Sequence, residues 1–171
     1  MSKNIREKQE EIKSELIRKA LDELNHDHDI GSADVFKYLR EKKSSEKIPV
    51  YIFRQGISPL QAAVKFLVEN LFFRFNEIAN LLNRDERTIW STYNSVRIRY
   101  PGTIKEEYCE HYVDLDVFRD RNFSFLENLC MHLRERYSLR YCKIAEILGK
   151  DERTIWTACR RAELKRGKIE G

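Results

Sequence analysis

The hexapeptide Asp85-Glu86-Arg87-Thr88-Ile89-Trp90 recurs, residue for residue, as Asp151-Glu152-Arg153-Thr154-Ile155-Trp156, 66 positions further on. Each copy follows a short apolar run of one kind, Ile78-Ala79-Asn80-Leu81-Leu82 in the first case and Ile144-Ala145-Glu146-Ile147-Leu148 in the second. At the same offset, residues 57–96 align with 123–162 without a gap, and 14 of those 40 positions are identical. Most other apolar positions stay apolar. A hexamer repeated inside a shared pattern is a duplication, and a duplicated unit governs the architecture before any single element does.

Working outward from the hexamer, each copy reads as three helices. Ser58-Pro59 supplies a cap and a first-turn proline for a helix from about Ser58 to Asn70, with Leu60, Ala63, Val64, Leu67 and Leu71 on its buried side. In the second copy Ser124 caps, and Leu126, Leu129, Cys130 and Leu133 repeat the stripe. A short helix follows over Phe75–Leu82, then the turn Asn83-Arg84, then a helix capped by Asp85 that runs to about Arg97. Tyr141–Leu148, Gly149-Lys150 and Asp151 take those roles in the second copy. Asn83 and Gly149 fall where the turn needs a residue that tolerates positive φ. Each copy is therefore expected to be a helix-turn-helix.

The leaders are less clear. Ile48-Pro49-Val50-Tyr51-Ile52-Phe53 matches Val113-Asp114-Leu115-Asp116-Val117-Phe118, one position out of register with the helices. Each hexamer alone could pass for a strand. Pro49 and Asp114 share one place, however, and both residue types suit a helix N-terminus, so a short leading helical turn is expected.

At the N-terminus, Lys3–Asn25 reads as an amphipathic helix with Ile12, Leu16, Ala20 and Leu24 in line. Gly31-Ser32 then stops and restarts the chain into a second helix, Ala33–Lys43, with Val35, Phe36 and Leu39 inside. Tyr100-Pro101-Gly102 ends the first copy, Thr103–Tyr112 is a linker with some helical character, and Arg166–Gly171 is a basic tail. The expected fold is all-α. An N-terminal helical pair (residues 1–45) precedes two tandem helix-turn-helix domains, 46–100 and 113–171, joined by a linker over 101–112.

Composition agrees with that class. Hydrophobic residues make up 42% and charged residues 35%, while six Gly and three Pro leave few breakers. The net charge of +4, from 32 basic and 28 acidic side chains, permits nucleic-acid binding without demanding it, because a local basic face matters more than the total. The four Cys show no CxxC pair and no zinc spacing, and no secretory signal accompanies them. Cys130 and Cys159 align with Val64 and Tyr93, as reduced, buried thiols would. No apolar run approaches a membrane span. The expectation is a soluble cytoplasmic protein, associated with the nucleoid. His26 and His28 stand two apart, the wrong spacing for a metal pair on one helix face. No nucleophile–base arrangement, phosphate loop or HExxH is present, so no enzyme, metal or cofactor is expected.

A helix-turn-helix works by offering the outer face of its second helix to the major groove while the inner face packs. Ile89, Tyr93 and Val96 would face inward in the first copy, and Ile155, Cys159 and Ala162 in the second. The outward arc of the first is then Glu86, Arg87, Trp90, Ser91, Asn94 and Arg97, with Arg84 in the turn. That of the second is Glu152, Arg153, Trp156, Thr157, Arg160 and Arg161, with Lys150 in the turn. Arg and Asn suit guanine and adenine edges, Glu can accept from a cytosine amine, and Ser or Thr suits phosphate. The helix N-terminus adds its own attraction for phosphate. For Asp85, Thr88 and Ile89 capping and packing suffice as an explanation. Trp90 and Trp156 could pack on the leading turn or touch thymine methyls and sugars.

The stretch from Ile57 to Val96 resembles the DNA-binding region 4 of bacterial sigma-70-type factors and the regulators that share that module. The resemblance is carried by the helix over Ser58–Leu71, by Phe75-Asn76-Glu77-Ile78-Ala79 with Leu82, and by Asp85-Glu86-Arg87-Thr88-Ile89. Ser124–Ala162 resembles it equally, with Lys143 in the place of Glu77. Residues 1–45 hold nothing like the region with which a sigma factor grips a melted promoter. The resemblance therefore implies a sequence-specific double-stranded DNA-binding transcriptional regulator rather than a complete sigma factor. Two other readings remain open: an adaptor docking on RNA polymerase, and the DNA-targeting partner of a recombinase or transposase. A monomer is the preferred state, with a homodimer through the N-terminal helix as the alternative.

Overall fold

Both copies build the same helices for the same local reasons. The computed structural model describes residues 14–15, 47–105 and 107–169. In the first copy a strand, β1 (Lys47–Pro49), runs into a 3₁₀ helix over Val50–Arg54, followed by α1 (Pro59–Glu69), α2 (Phe75–Leu81) and α3 (Glu86–Arg99). In the second, β2 (Tyr112–Asp114) runs into a 3₁₀ helix over Leu115–Arg119, followed by α4 (Phe125–Tyr137), α5 (Tyr141–Leu148) and α6 (Glu152–Ile169). The all-α expectation holds in outline. Of the expected N-terminal pair only Ser14 and Glu15 are described, both helical; the rest of that pair, and His26 and His28, lie outside the described residues.

Ser58 opens α1 through a capping box: its hydroxyl accepts from Gln61 N, and Gln61 Oε1 accepts from Ser58 N, both at 3.2 Å. Ser124 and Glu127 repeat the device on α4 at 3.2 and 2.7 Å. Each such cap contributes about 1 kcal/mol. The helices end alike as well. Phe72 and Ser138, equivalent residues, both take left-handed backbone (φ +56° and +53°). Each is followed by a residue whose amide returns to the helix, Phe73 to Leu67 O and Leu139 to Leu133 O. Asn83 (φ +49°) and Gly149 (φ +59°) close the next helix in each copy, as their residue types suggested.

The leading segments differ from expectation in an informative way. The helical turns are present and begin after Pro49 and Asp114, but each is preceded by three residues of strand. The strands pair antiparallel, Lys47 opposite Asp114, Ile48 opposite Val113 and Pro49 opposite Tyr112. Ile48 and Val113, fully buried, are the same position of the two copies. So are Phe53 and Phe118, whose rings meet edge to face with centroids 6.3 Å apart.

Each leader packs under the other copy's middle helix. The 3₁₀ helix of Val50–Arg54 lies on α5, and that of Leu115–Arg119 lies on α2. Asn83 Nδ2 donates to Arg119 O at 3.1 Å, and Arg119 Nη1 to Asn80 O at 3.2 Å. At the matching seam Gly149 presses on Arg54 so closely that a Cβ there would stand 3.0 Å from Arg54 Cγ. One continuous core runs through both copies. The intervening 101–112 carries no helix among its described residues, which corrects the helical character expected of it. Its apolar anchor, buried Ile104, accepts from Asn70 Nδ2 at 3.0 Å through its carbonyl and so ties the chain down. The expected basic tail is a correction too, since α6 continues through Arg166 to Ile169.

α1 is buried on more than the one side its apolar stripe predicted, from Ala62 through Glu69. This includes Lys65 and Glu69, which pair at 2.6 Å, with Tyr93 Oη donating to Glu69 at 3.2 Å. Burial, then the charge of Glu69, pushes the Tyr93 phenol up, and Glu15 lies within electrostatic reach of it. In the second copy Met131 and Glu135 stand at these places, and Glu135 is a surface partner of Arg166 at 2.7 Å. Cys130 and Cys159 are buried free thiols, as expected. Cys109 is half-buried and Cys142 exposed.

Candidate nucleic-acid interface

The turn between α2 and α3 is held by Arg84 N donating to Ala79 O at 2.8 Å, and Lys150 N donates to Ala145 O at 2.9 Å in the other copy. Asp85 then caps α3, its carboxylate accepting from Arg87 N at 2.9 Å. That cap places a negative charge at the helix end and offsets the phosphate attraction expected of the N-terminus. The inward faces are as read from spacing: Ile89, Tyr93 and Val96 in α3, and Ile155, Cys159 and Ala162 in α6, are all buried. α3 and α6 lie against α1 and α4 through these faces.

The remaining side chains form the two outward arcs. On α3, Arg87, Ser91 and Arg97 are exposed, while Glu86, Trp90 and Asn94 are half-buried. On α6, Glu152, Arg153, Trp156, Arg160 and Arg161 are exposed and Thr157 is half-buried. The tryptophans divide. Trp90 packs against the core with its indole N–H buried and without a hydrogen-bond partner among the described residues. Trp156 is 52% exposed, an unusual place for so large an apolar ring.

The arcs are not equally free. Thr157 donates its hydroxyl to Arg153 O at 2.7 Å, so in this rotamer it has no proton to offer a phosphate. Arg160 leans on Glu163 at 3.5 Å, and the same carboxylate takes Arg134 at 3.2 Å. Arg153 and Arg161, by contrast, line an open cleft of about 320 Å³ with Ser124, Thr154 and Thr157. α6 as a whole carries six basic and two acidic side chains, and α3 three and one. The local excess of positive charge is therefore larger on α6 than on α3.

Three further arginines enter from the leaders and from the turn that follows the second of them. Arg121 donates to Asn83 O at 3.1 Å, beside the first turn, and Arg119 reaches the same helix end. Burial, then the charge of Arg121, lowers the affinity of Arg84 for its proton. Two crowded guanidiniums are relieved by an anion, and a phosphate oxygen is such a group. Arg54 stands at the matching seam, beside Gly149 and the Lys150 turn. Arg54 and Arg119 are equivalent in the repeat, which is the signal that could have singled them out.

Among the described residues no group of three or more His, Cys, Asp or Glu is placed to hold a metal, and no helix is long and apolar enough to cross a membrane. No protein-family model, curated protein or solved structure matches the chain.

Proposed function

We propose that the chain is a sequence-specific double-stranded DNA-binding protein, a transcriptional regulator built from two helix-turn-helix modules like those of sigma region 4. The observation that carries this reading is the duplicated α3/α6 surface. In both copies a helix entered through a tight turn buries its whole inner face and presents an arginine-bearing arc. Exposed arginines contribute little to folding, so their recurrence on that arc favours a ligand with negative charge. A helix of this diameter fits the major groove, where Arg87, Asn94 and Arg153 have hydrogen-bonding heads suited to purine edges. Arg84, Arg119 and Arg121 flank the first arc as phosphate contacts.

Fluorescence anisotropy with a labelled random-sequence duplex at low salt tests the reading. Binding is expected, and the double change Arg153→Ala, Arg161→Ala should weaken it markedly without unfolding the chain. No binding to any duplex would end it. Exposed Trp156 favours a second reading, docking on a polymerase subunit; Trp156→Ala would then abolish polymerase capture and leave duplex affinity unchanged.

A further inference from the structure

Resting on the DNA-binding reading above, we propose that the chain recognises an inverted pair of half-sites in one duplex, and not a direct repeat. Two modules joined only by a flexible linker could take any mutual orientation. Here the contacts between copies are reciprocal. Lys47 faces Asp114, and the equivalents of these two, Tyr112 and Pro49, face each other. Equivalent residues meet directly at two levels, Ile48 with Val113 and Phe53 with Phe118. Asn83 touches Arg119, and the counterpart contact is Gly149 with Arg54.

A set of contacts in which i touches j and j touches i, with equivalents meeting in between, is isologous and requires a two-fold relation. A translation or screw along the duplex, which a direct repeat demands, would leave each pair unreciprocated. The shared core holds the two-fold in place, so the relation survives in solution. It carries α3 onto α6, and a two-fold pair of recognition helices meets half-sites of opposite polarity.

The two half-sites are related but not identical. Glu86, Arg87 and Trp90 on α3 are matched by Glu152, Arg153 and Trp156 on α6, whereas Asn94 and Ser95 are replaced by Arg160 and Arg161. The bases read by the first turn of each helix should repeat in inverted order, and those read one turn later should differ. The target is an imperfect palindrome.

The test is selection of bound duplexes from a random pool with the full chain, followed by reversal of one half-site in the winning sequence at unchanged spacing. An enriched inverted repeat is expected, with reversal lowering affinity about ten-fold or more, towards that of a lone half-site. Enrichment of direct repeats, or a reversal without effect, would overturn the inverted arrangement while leaving DNA binding intact. Failure to enrich or retain any duplex at low salt would remove the DNA reading, and the inference with it.

Discussion

The side-chain amide of Asn83 donates to the backbone carbonyl of Arg119 at 3.1 Å, fastening the turn of the first repeat to the leader of the second. At the equivalent seam Gly149 has no side chain to give, and Arg54 fills the space instead. Gly149→Ala would place a Cβ at left-handed φ and displace the Arg54 side chain. A loss of about 1–2 kcal/mol is expected. Asn83→Gly relaxes its backbone but forfeits the bond, and should be close to neutral. Urea midpoints of the two variants check the contrast.

The shared core makes the two repeats one folding unit. The full chain should unfold in a single transition by both far-ultraviolet and tryptophan signals. A fragment of residues 101–171 keeps α4, α5 and α6 but lacks the Val50–Arg54 leader under α5. It should show no cooperative transition. Two resolved transitions in the full chain would mean that the leaders contribute little to coupling.

Glu127 supplies a pH signature. Burial would raise its carboxyl, but Lys165 at 2.7 Å and the Ser124 amide outweigh that and hold it below the ordinary value of 4.5. Its contribution is complete above 4.5 and is lost as pH falls through the depressed value of the folded state. Glu127→Gln should therefore be less stable than the natural chain at neutral pH and converge with it in acid. Denaturation midpoints between neutral pH and pH about 3 would show the convergence, or its absence.

Helical spacing made most of each repeat legible. The caps at Ser58, Ser124 and Asp85, the turns at Asn83 and Gly149, and the buried faces of α3 and α6 all stand where residue type put them. The exchange of leaders was not legible, because an apolar pattern says that a face is buried and not which partner buries it. The one trace was that Pro49 matches Asp114 one position out of step with the helices. Lys65 and Glu69 escaped notice for a similar reason: on a half-buried helix they would be ordinary surface charges, and only the covering of α1 makes them a buried pair. Phe72 escaped because a bulky residue gives no hint of left-handed backbone.

Salt dependence follows from the arginines of both arcs. If about six phosphates are neutralised, log K should fall with log[salt] at a slope near about −5. Arg84→Ala with Arg121→Ala should make that slope shallower by about 2. An unchanged slope would take these two off the phosphate path.

The two arcs should divide the work unequally. Asn94→Ala is expected to relax preference at one base pair by about 1–3 kcal/mol, while Arg160→Ala weakens binding to all sequences alike. Arg160→Ala should cost less than Arg153→Ala, since Glu163 already holds Arg160. Mismatch titrations on a selected duplex separate these effects, and intact penalties in Asn94→Ala would remove that residue from base contact.

The pairing of Ile48 with Val113 also bears on synthesis. These partners are 65 residues apart, so β1 leaves the ribosome long before the strand that completes it. α2 likewise waits for Leu115–Arg119 to cover it. The first repeat can form its helices early but cannot finish its packing until residues 112–119 are made. Long-range closure of this kind slows folding and leaves apolar surface open in the meantime. The nascent chain should thus stay protease-sensitive until residues 112–119 have emerged from the ribosome, and become resistant only after that.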